Sequence, residues 1–326
     1  MPAPIQRGAS PVHLTPPSAT PSGPRVVAIG GGHGLSASLR AIRTYAREVT
    51  AVVSVADDGG SSGLLRAAIP DLPAPGDVRK CLGALAADEQ EYARILEHRF
   101  EAGEFEGHAL GNLLLVALSL ELGSFGYAVD ELARRVGAVG RVLPATVEPV
   151  ALVGLRAGDD GARAGSESVV GQVAVQNTAG LRQVRLQPET PSSSPEVARA
   201  ILDADQVVIG PGSLFTSVLA AAVVPAVRDA LQCTDAQRVW VANVAAQDPE
   251  TLGLSVLDER RLIADHGIGL DVVVVDAARA RCLPLPVAPR RDDAMWVSPA
   301  LADQRGTAHD PARLAAALAE LAHRRT

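Results

Sequence analysis

The sequence predicts an α/β protein with a mostly parallel sheet and a small antiparallel β insertion. Three observations predict it. Short β-branched runs alternate with segments of helical periodicity, glycine-rich turns stand at two strand-to-helix junctions, and the texture changes to short strand-like runs between about residues 145 and 187. Taken in order, residues 1–24 hold seven prolines and no apolar periodicity, and are expected to form a disordered tail. Val26–Ile29 is a strand that stops at Gly30-Gly31-Gly32-His33-Gly34, and a helix follows with Leu35, Leu39, Ile42 and Tyr45 on one face. Thr50–Val55 is a second strand, ending in Ala56-Asp57-Asp58-Gly59-Gly60-Ser61-Ser62-Gly63. Val78–Ala87, Tyr92–Phe100, Ala109–Leu120 and Val129–Val136 read as helices. In the insertion, Val150–Leu155, Val169–Val175 and Leu181–Leu186 read as antiparallel strands.

The α/β rhythm then returns. Glu196–Asp203 reads as a helix, Gln206–Ile209 as a strand, and Leu214–Ala222 as a helix after Gly210-Pro211-Gly212-Ser213. Val239–Ala242 and Val272–Val275 are further strands. Asp310-Pro311 supplies an N-cap and an N1 proline for the helix Ala312–His323. Parallel-sheet pieces lie on both sides of the insertion, so residues 25–326 are expected to form one large domain.

Composition excludes several classes. Thirty basic against 37 acidic side chains give a net charge of −7, which is not the footprint of a protein that binds nucleic acid directly. Aromatic residues at 3% are too few for base-stacking platforms. The three cysteines share no CxxC spacing, which disfavours a zinc site or disulfide framework and fits a reducing cytoplasm. Leu113–Leu122 is the longest strongly apolar stretch, about half of the ~20 residues a membrane span needs.

The chemistry concentrates in the loops. Gly32-His33-Gly34-Leu35-Ser36-Ala37 fits G-x-G-x-x-G/A between a strand and a helix, where absent Cβ atoms let backbone N–H groups approach a phosphate. Gly31, Gly32, His33, Gly34 and Leu35 are therefore candidate ligand contacts. Asp57 follows Gly34 by 23 residues at the next strand end, close to the ~20-residue spacing of a ribose-binding acid. Asp57, Asp58 and Gly59 suit ribose or base recognition, and the two acids equally suit a hard cation. Gly210, Gly212, Ser213 and Thr216 read as a second anion cradle. Asp77 is placed at an N-cap and Arg79 in the following first turn, where its charge opposes the helix dipole and points to phosphate binding. Asn112 is the one amide in an apolar helix and must find partners. Asn243 stands at a strand's C-terminal end, where open α/β sheets bind ligands. No catalytic trio, Walker lysine or metal-spaced histidine set is visible.

These motifs come in a familiar order: I-G-G-G-x-G-L-S at Ile29–Ser36, A-D-D-G-G-S-S-G at Ala56–Gly63, P-G-D-V-R at Pro75–Arg79, H-A-L-G-N-L-L at His108–Leu114, V-L-P-A at Val142–Ala145 and G-P-G-S-L-F-T-S at Gly210–Ser217. Together they resemble the YvcK family of gluconeogenesis factors, in the CofD-like superfamily. The resemblance implies a Rossmann-like three-layer α/β/α fold and a cytoplasmic location. It implies binding of a UDP-sugar, notably UDP-N-acetylglucosamine, with no cofactor required and no turnover. The implied role lies in cell shape and peptidoglycan precursor supply during gluconeogenic growth, through an unidentified protein partner, and a homodimer is compatible with it. Related CofD enzymes transfer a phospholactyl group to a deazaflavin. That alternative, a 2-phospho-L-lactate transferase, sets Asp77 beside the acceptor and Mg2+ on Asp57 and Asp58. A third reading, an NAD-type dinucleotide in a dehydrogenase, is allowed by the loop and Asp57. The chain departs from the family pattern at His33, where the family often has Thr, at Gly171-Gln172 in place of Gly-Glu, at Ala246 and Pro249, and at Ala308 in place of an arginine.

Overall fold

A computed structural model describes residues 22–156, 167–246, 249–283 and 294–324. Ten strands are described: β1 (Arg25–Gly30), β2 (Glu48–Val53), β3 (Arg141–Pro144), β4 (Ala151–Arg156), β5 (Ser168–Val170), β6 (Leu181–Gln187), β7 (Gln206–Ile209), β8 (Gln237–Val241), β9 (Val272–Val274) and β10 (Met295–Val297). Seven form one sheet in the order β10-β9-β8-β7-β1-β2-β3, and every described pairing in it is parallel. Strands β5-β4-β6 form the antiparallel insertion. The molecule is thus a three-layer α/β/α protein, as the sequence leads one to expect. The proline-rich tail falls almost wholly outside the described residues.

Central strands of such a sheet are covered on both faces, which is why β1, β7 and β9 read as unbroken apolar runs. From β1 the chain crosses through α1 (Gly32–Ile42) to β2 on one side. From β7 it crosses through a π-helical segment (Leu214–Leu219) that continues into a short α-helix (Ala220–Ala222), then through Pro225–Cys233, to β8 on the other side. Right-handed crossovers running in opposite directions place their helices on opposite faces and open a crevice between β1 and β7. The two glycine loops border this crevice. Register fixes them side by side: Ile29 pairs with Ile209, one residue before each loop.

Helices α2 (Gly60–Ala68), α3 (Gly76–Leu85), α4 (Glu89–Glu97), α5 (Leu110–Leu122) and α6 (Phe125–Arg135) lie between β2 and β3. The third parallel strand β3, helix α2, and the helices Pro225–Cys233 and Val256–Asp265 go beyond the sequence reading. The final helix, Pro311–His323, begins as expected, with Asp310 accepting from Ala312 N and Arg313 N. Two expectations are corrected. Val169–Val175 is not one strand: β5 ends at Val170, Gly171 turns at φ +108°, and α7 (Gln172–Gln176) follows. The cause is tertiary, since Asp58 takes the N–H groups of Gln172 and Val173, both at 2.9 Å, and so caps a helix in a β-branched stretch. Asp77 is not the cap of α3. Pro75 holds that position, and Asp77 lies in the first turn with its carboxylate on Lys80 Nζ at 3.0 Å.

Candidate functional site

The site grows from the end of β1. Gly31 is extended and caps α1 without any side chain, and the first turn of α1 carries no acid. Its first N–H groups thus have no side-chain cap, and the Asp77 carboxylate lies beside Gly31 at this end of the helix. Gly31 and Gly34 must lack Cβ for packing reasons. At Gly31 a side chain would collide with the Asp77 carboxylate, and at Gly34 with the backbone of Pro211 in the second loop. The two loops are thus in contact at one crevice.

A cavity of about 360 Å³ lies there, lined by Gly31–Gly34, by Asp57 and Gly59 after β2, by Asp77 and Lys80 of α3, by Gln172, Val173 and Gln176 of α7, and by Gly212, Ser213, Thr216 and Ser217. Burial, and then the neighbouring Asp77 charge, push the Asp57 carboxyl above its ordinary range, although Gly59 N donates to it at 2.9 Å. Burial and the Lys80 charge lower the His33 imidazole below its usual value, which favours the neutral ring. Lys80 is the cation of this cavity, held by Asp77. A larger hollow of about 600 Å³, lined by Arg25, Asp205 and His323 among others, lies at the opposite, N-terminal ends of the strands, away from the glycine loops.

The second loop is built differently. The Asn243 side-chain amide holds the Gly212 peptide at both ends, accepting from Gly212 N at 3.0 Å and donating to Gly212 O at 2.8 Å. Arg279 fixes Asn243 in turn, donating to its carbonyl and to Glu259, both at 2.8 Å. Glu250, 2% exposed, accepts from Phe215 N, from Thr216 N at 3.1 Å and from Thr216 Oγ1 at 3.1 Å. A carboxylate of the protein itself thus sits on the N–H groups that open this helix. Burial raises the Glu250 carboxyl, and the donated hydrogen bonds oppose that rise.

Other sequence candidates have partners within the protein. Asp58 spends both carboxylate oxygens on α7. Leu35 is fully buried in the core. Asn112 donates to Ser61 Oγ at 3.0 Å and accepts from Arg79 at 3.4 Å, so protein groups answer the demand of the buried amide. Arg79 is 2% exposed and pairs with Glu97 at 3.0 Å, while its buried Nε has no hydrogen-bond partner. Gly210 turns at φ +74° between β7 and the loop.

With this geometry in view, comparison with known proteins decides the family. The family profile of 2-phospho-L-lactate transferase CofD matches residues 26–285. A putative gluconeogenesis factor of Mycobacterium tuberculosis is 46% identical over 264 residues, covering 78% of this chain and 76% of its own length. The chain belongs to the CofD-like gluconeogenesis-factor family. A putative gluconeogenesis factor of Deinococcus radiodurans is 42% identical over 315 residues, 92% of this chain and 66% of its own length. A crystal structure of a UPF0052 family member from Bacillus halodurans superposes with a TM-score of 0.79 at 33% identity, covering 91% of this chain and 99% of that one.

In this family member the sequence reading misses Lys80, Gln172, Val173, Gln176 and Ser217 on the cavity wall, and Glu250 behind the second loop. Lys80 stands one position beyond the P-G-D-V-R motif, and its i,i+3 spacing from Asp77 is the available signal. Glu250 matches the Glu of the family-like stretch Asn243–Thr251, but its role is hidden because its partners are 34 and 35 residues away. Gln172 and Gln176 are hidden by the strand reading of their segment. Among the described residues no three His, Cys, Asp or Glu side chains converge as a metal site, and no single helix is long and apolar enough to cross a membrane.

Proposed function

We propose that this chain is a cytoplasmic regulatory protein that binds a nucleotide-sugar, UDP-N-acetylglucosamine, and reports its supply to the machinery of cell shape and cell-wall precursor synthesis during gluconeogenic growth. The observation that carries the reading is the uncapped N-terminus of α1 at the β1/β7 crevice, opening into a cavity with a lysine on its wall. A diphosphate there meets backbone N–H donors, the dipole and Lys80. Asp57 is placed to accept from ribose hydroxyls. His33, favoured as the neutral ring, has one ring N–H to donate and one nitrogen to accept. The gluconeogenesis-factor relatives support the physiological half of the proposal.

Binding without turnover is part of this proposal. Asp57 takes hydrogen bonds from the Ser62 hydroxyl and from Gly59 N, and Asp77 is engaged by Lys80. The competing reading, phospholactyl transfer to a deazaflavin, is supported by the matching CofD profile. Isothermal titration with UDP-N-acetylglucosamine, UDP and NAD separates these readings, and the sugar nucleotide is expected to bind most tightly. Absence of heat with all three at millimolar concentration contradicts the proposal. A deazaflavin that gains the mass of a phospholactyl group replaces it with the transferase.

A further inference from the structure

The antiparallel insertion is more than a decoration on the sheet, because its helix α7 supplies one wall of the cavity. Asp58 anchors that wall from the other side of the crevice through Gln172 N and Val173 N. Gly171 makes the approach feasible: it turns at φ +108°, and a Cβ there would lie 2.5 Å from the Asp58 carboxylate. Gly59 of the acidic loop would likewise crowd Val173 Cγ2, at 3.1 Å, if it carried a Cβ. Loop and helix are thus fitted to each other, and α7 cannot shift without releasing the Asp58 contacts.

Gln172 and Gln176 stand one helical turn apart, and both line the cavity. Gln172 Nε2 donates to Gln176 Oε1 at 3.4 Å. That bond uses one donor of the first amide and one lone pair of the second. The groups that remain at the rim include an acceptor, Gln172 Oε1, and a donor, Gln176 Nε2. An adjacent acceptor and donor are complementary to a ligand edge that presents N–H and C=O together. Neither glutamine adds charge to a cavity that already holds Asp57 and Asp77.

Resting on the nucleotide-sugar reading, we infer that Gln172 and Gln176 form the specificity wall of the site and read an amide-type N–H/C=O edge of the ligand, with Asp58 as the positioning residue that holds α7 against it. Two parts of UDP-N-acetylglucosamine carry that edge, the uracil ring and the acetamido group. The phosphates lie on α1, so recognition of the edge is separable from recognition of charge.

The test is titration of the full chain and of Gln172→Leu, Gln176→Leu and Asp58→Ala with UDP-N-acetylglucosamine, UDP-glucose and inorganic pyrophosphate. Each variant is expected to weaken UDP-N-acetylglucosamine about tenfold or more, since a site built to hydrogen-bond a polar group is left unpaired. Pyrophosphate affinity is expected to stay within about twofold, because the α1 seat is untouched. A parallel loss for UDP-glucose assigns the edge to uracil, and a loss confined to the acetamido sugar assigns it to the sugar. Wild-type affinity for UDP-N-acetylglucosamine in both glutamine variants overturns the inference alone. An equal fall for pyrophosphate also overturns it, because the wall would then be only structural. No binding of UDP-N-acetylglucosamine to the wild-type chain overturns the nucleotide-sugar reading and this inference with it.

Discussion

The two glycine loops look alike in sequence and differ in the fold. Each leaves a central parallel strand, each enters a helix, and the two touch at Gly34 and Pro211. The first ends in a helix whose N-terminus has no side-chain cap and no first-turn acid. The second ends in a helix whose opening N–H groups are taken by Glu250, and its Gly212 peptide is held by Asn243. A helix N-terminus attracts an anion in either case. The first has no side-chain cap, whereas two opening N–H groups of the second, those of Phe215 and Thr216, are taken from within. A glycine-rich loop in a sequence therefore announces close approach of backbone, and long-range partners decide whether a ligand or the chain itself comes close.

The comparison can be broken at its seam. Gly34→Ala should do the most harm, because the new Cβ meets the Pro211 backbone rather than a movable side chain. Overpacking against rigid backbone lies beyond the usual range, at more than about 3 kcal/mol, to be read by urea unfolding, and nucleotide binding should fall with it. Next in size, Glu250→Ala should cost about 3 kcal/mol by stranding Phe215 N, Thr216 N and Thr216 Oγ1, whereas Glu250→Gln keeps an acceptor and should cost about 1 kcal/mol. Equal stability of the two variants would mean that the second helix end does not depend on its internal carboxylate.

The first loop should answer in the opposite sense. His33→Glu puts an acid in the uncapped first turn of α1, so it should stabilise the protein by about 0.3–1 kcal/mol while weakening nucleotide binding about tenfold. A variant that gains stability and keeps full affinity would show that the anion does not seat there.

The smallest effect concerns pH and lies outside both loops. His266 joins the insertion to the helix Val256–Asp265: its Nε2 accepts from Val184 N at 3.0 Å, and its Nδ1 meets Leu262 O at 2.6 Å. Burial lowers its pKa in the fold. The unfolded chain then takes up the proton first, so this contribution to stability is full above about pH 6.5 and is lost as pH falls towards the lower folded value. Melting temperature should drop below that pH, and His266→Asn should flatten the drop at the expense of stability near pH 7.

What the sequence makes legible here is whatever is local. The strand runs of β1, β7 and β9, the glycine turns and the Asp310 cap follow from propensity and spacing, and the structure has them in place. What it hides is set by partners far along the chain. Val173 and Val175 look like strand residues until Asp58 caps their helix from 115 positions away at Val173 N. Asp57 and Asp58 look interchangeable, yet one lines the cavity and the other spends both oxygens on α7. Asn112 draws attention because a buried amide needs partners, and the fold supplies Ser61, whereas Arg79 pairs with Glu97 and keeps a buried Nε unpartnered.

The most direct measurement is a crystal structure of the full chain with UDP-N-acetylglucosamine bound. The account predicts a diphosphate on the backbone N–H groups of Gly32–Gly34 beside Lys80, with Glu250 still accepting from Phe215 N and Thr216 N. A diphosphate seated on Phe215 and Thr216 with Glu250 driven away, or one bound outside the β1/β7 crevice, would contradict it.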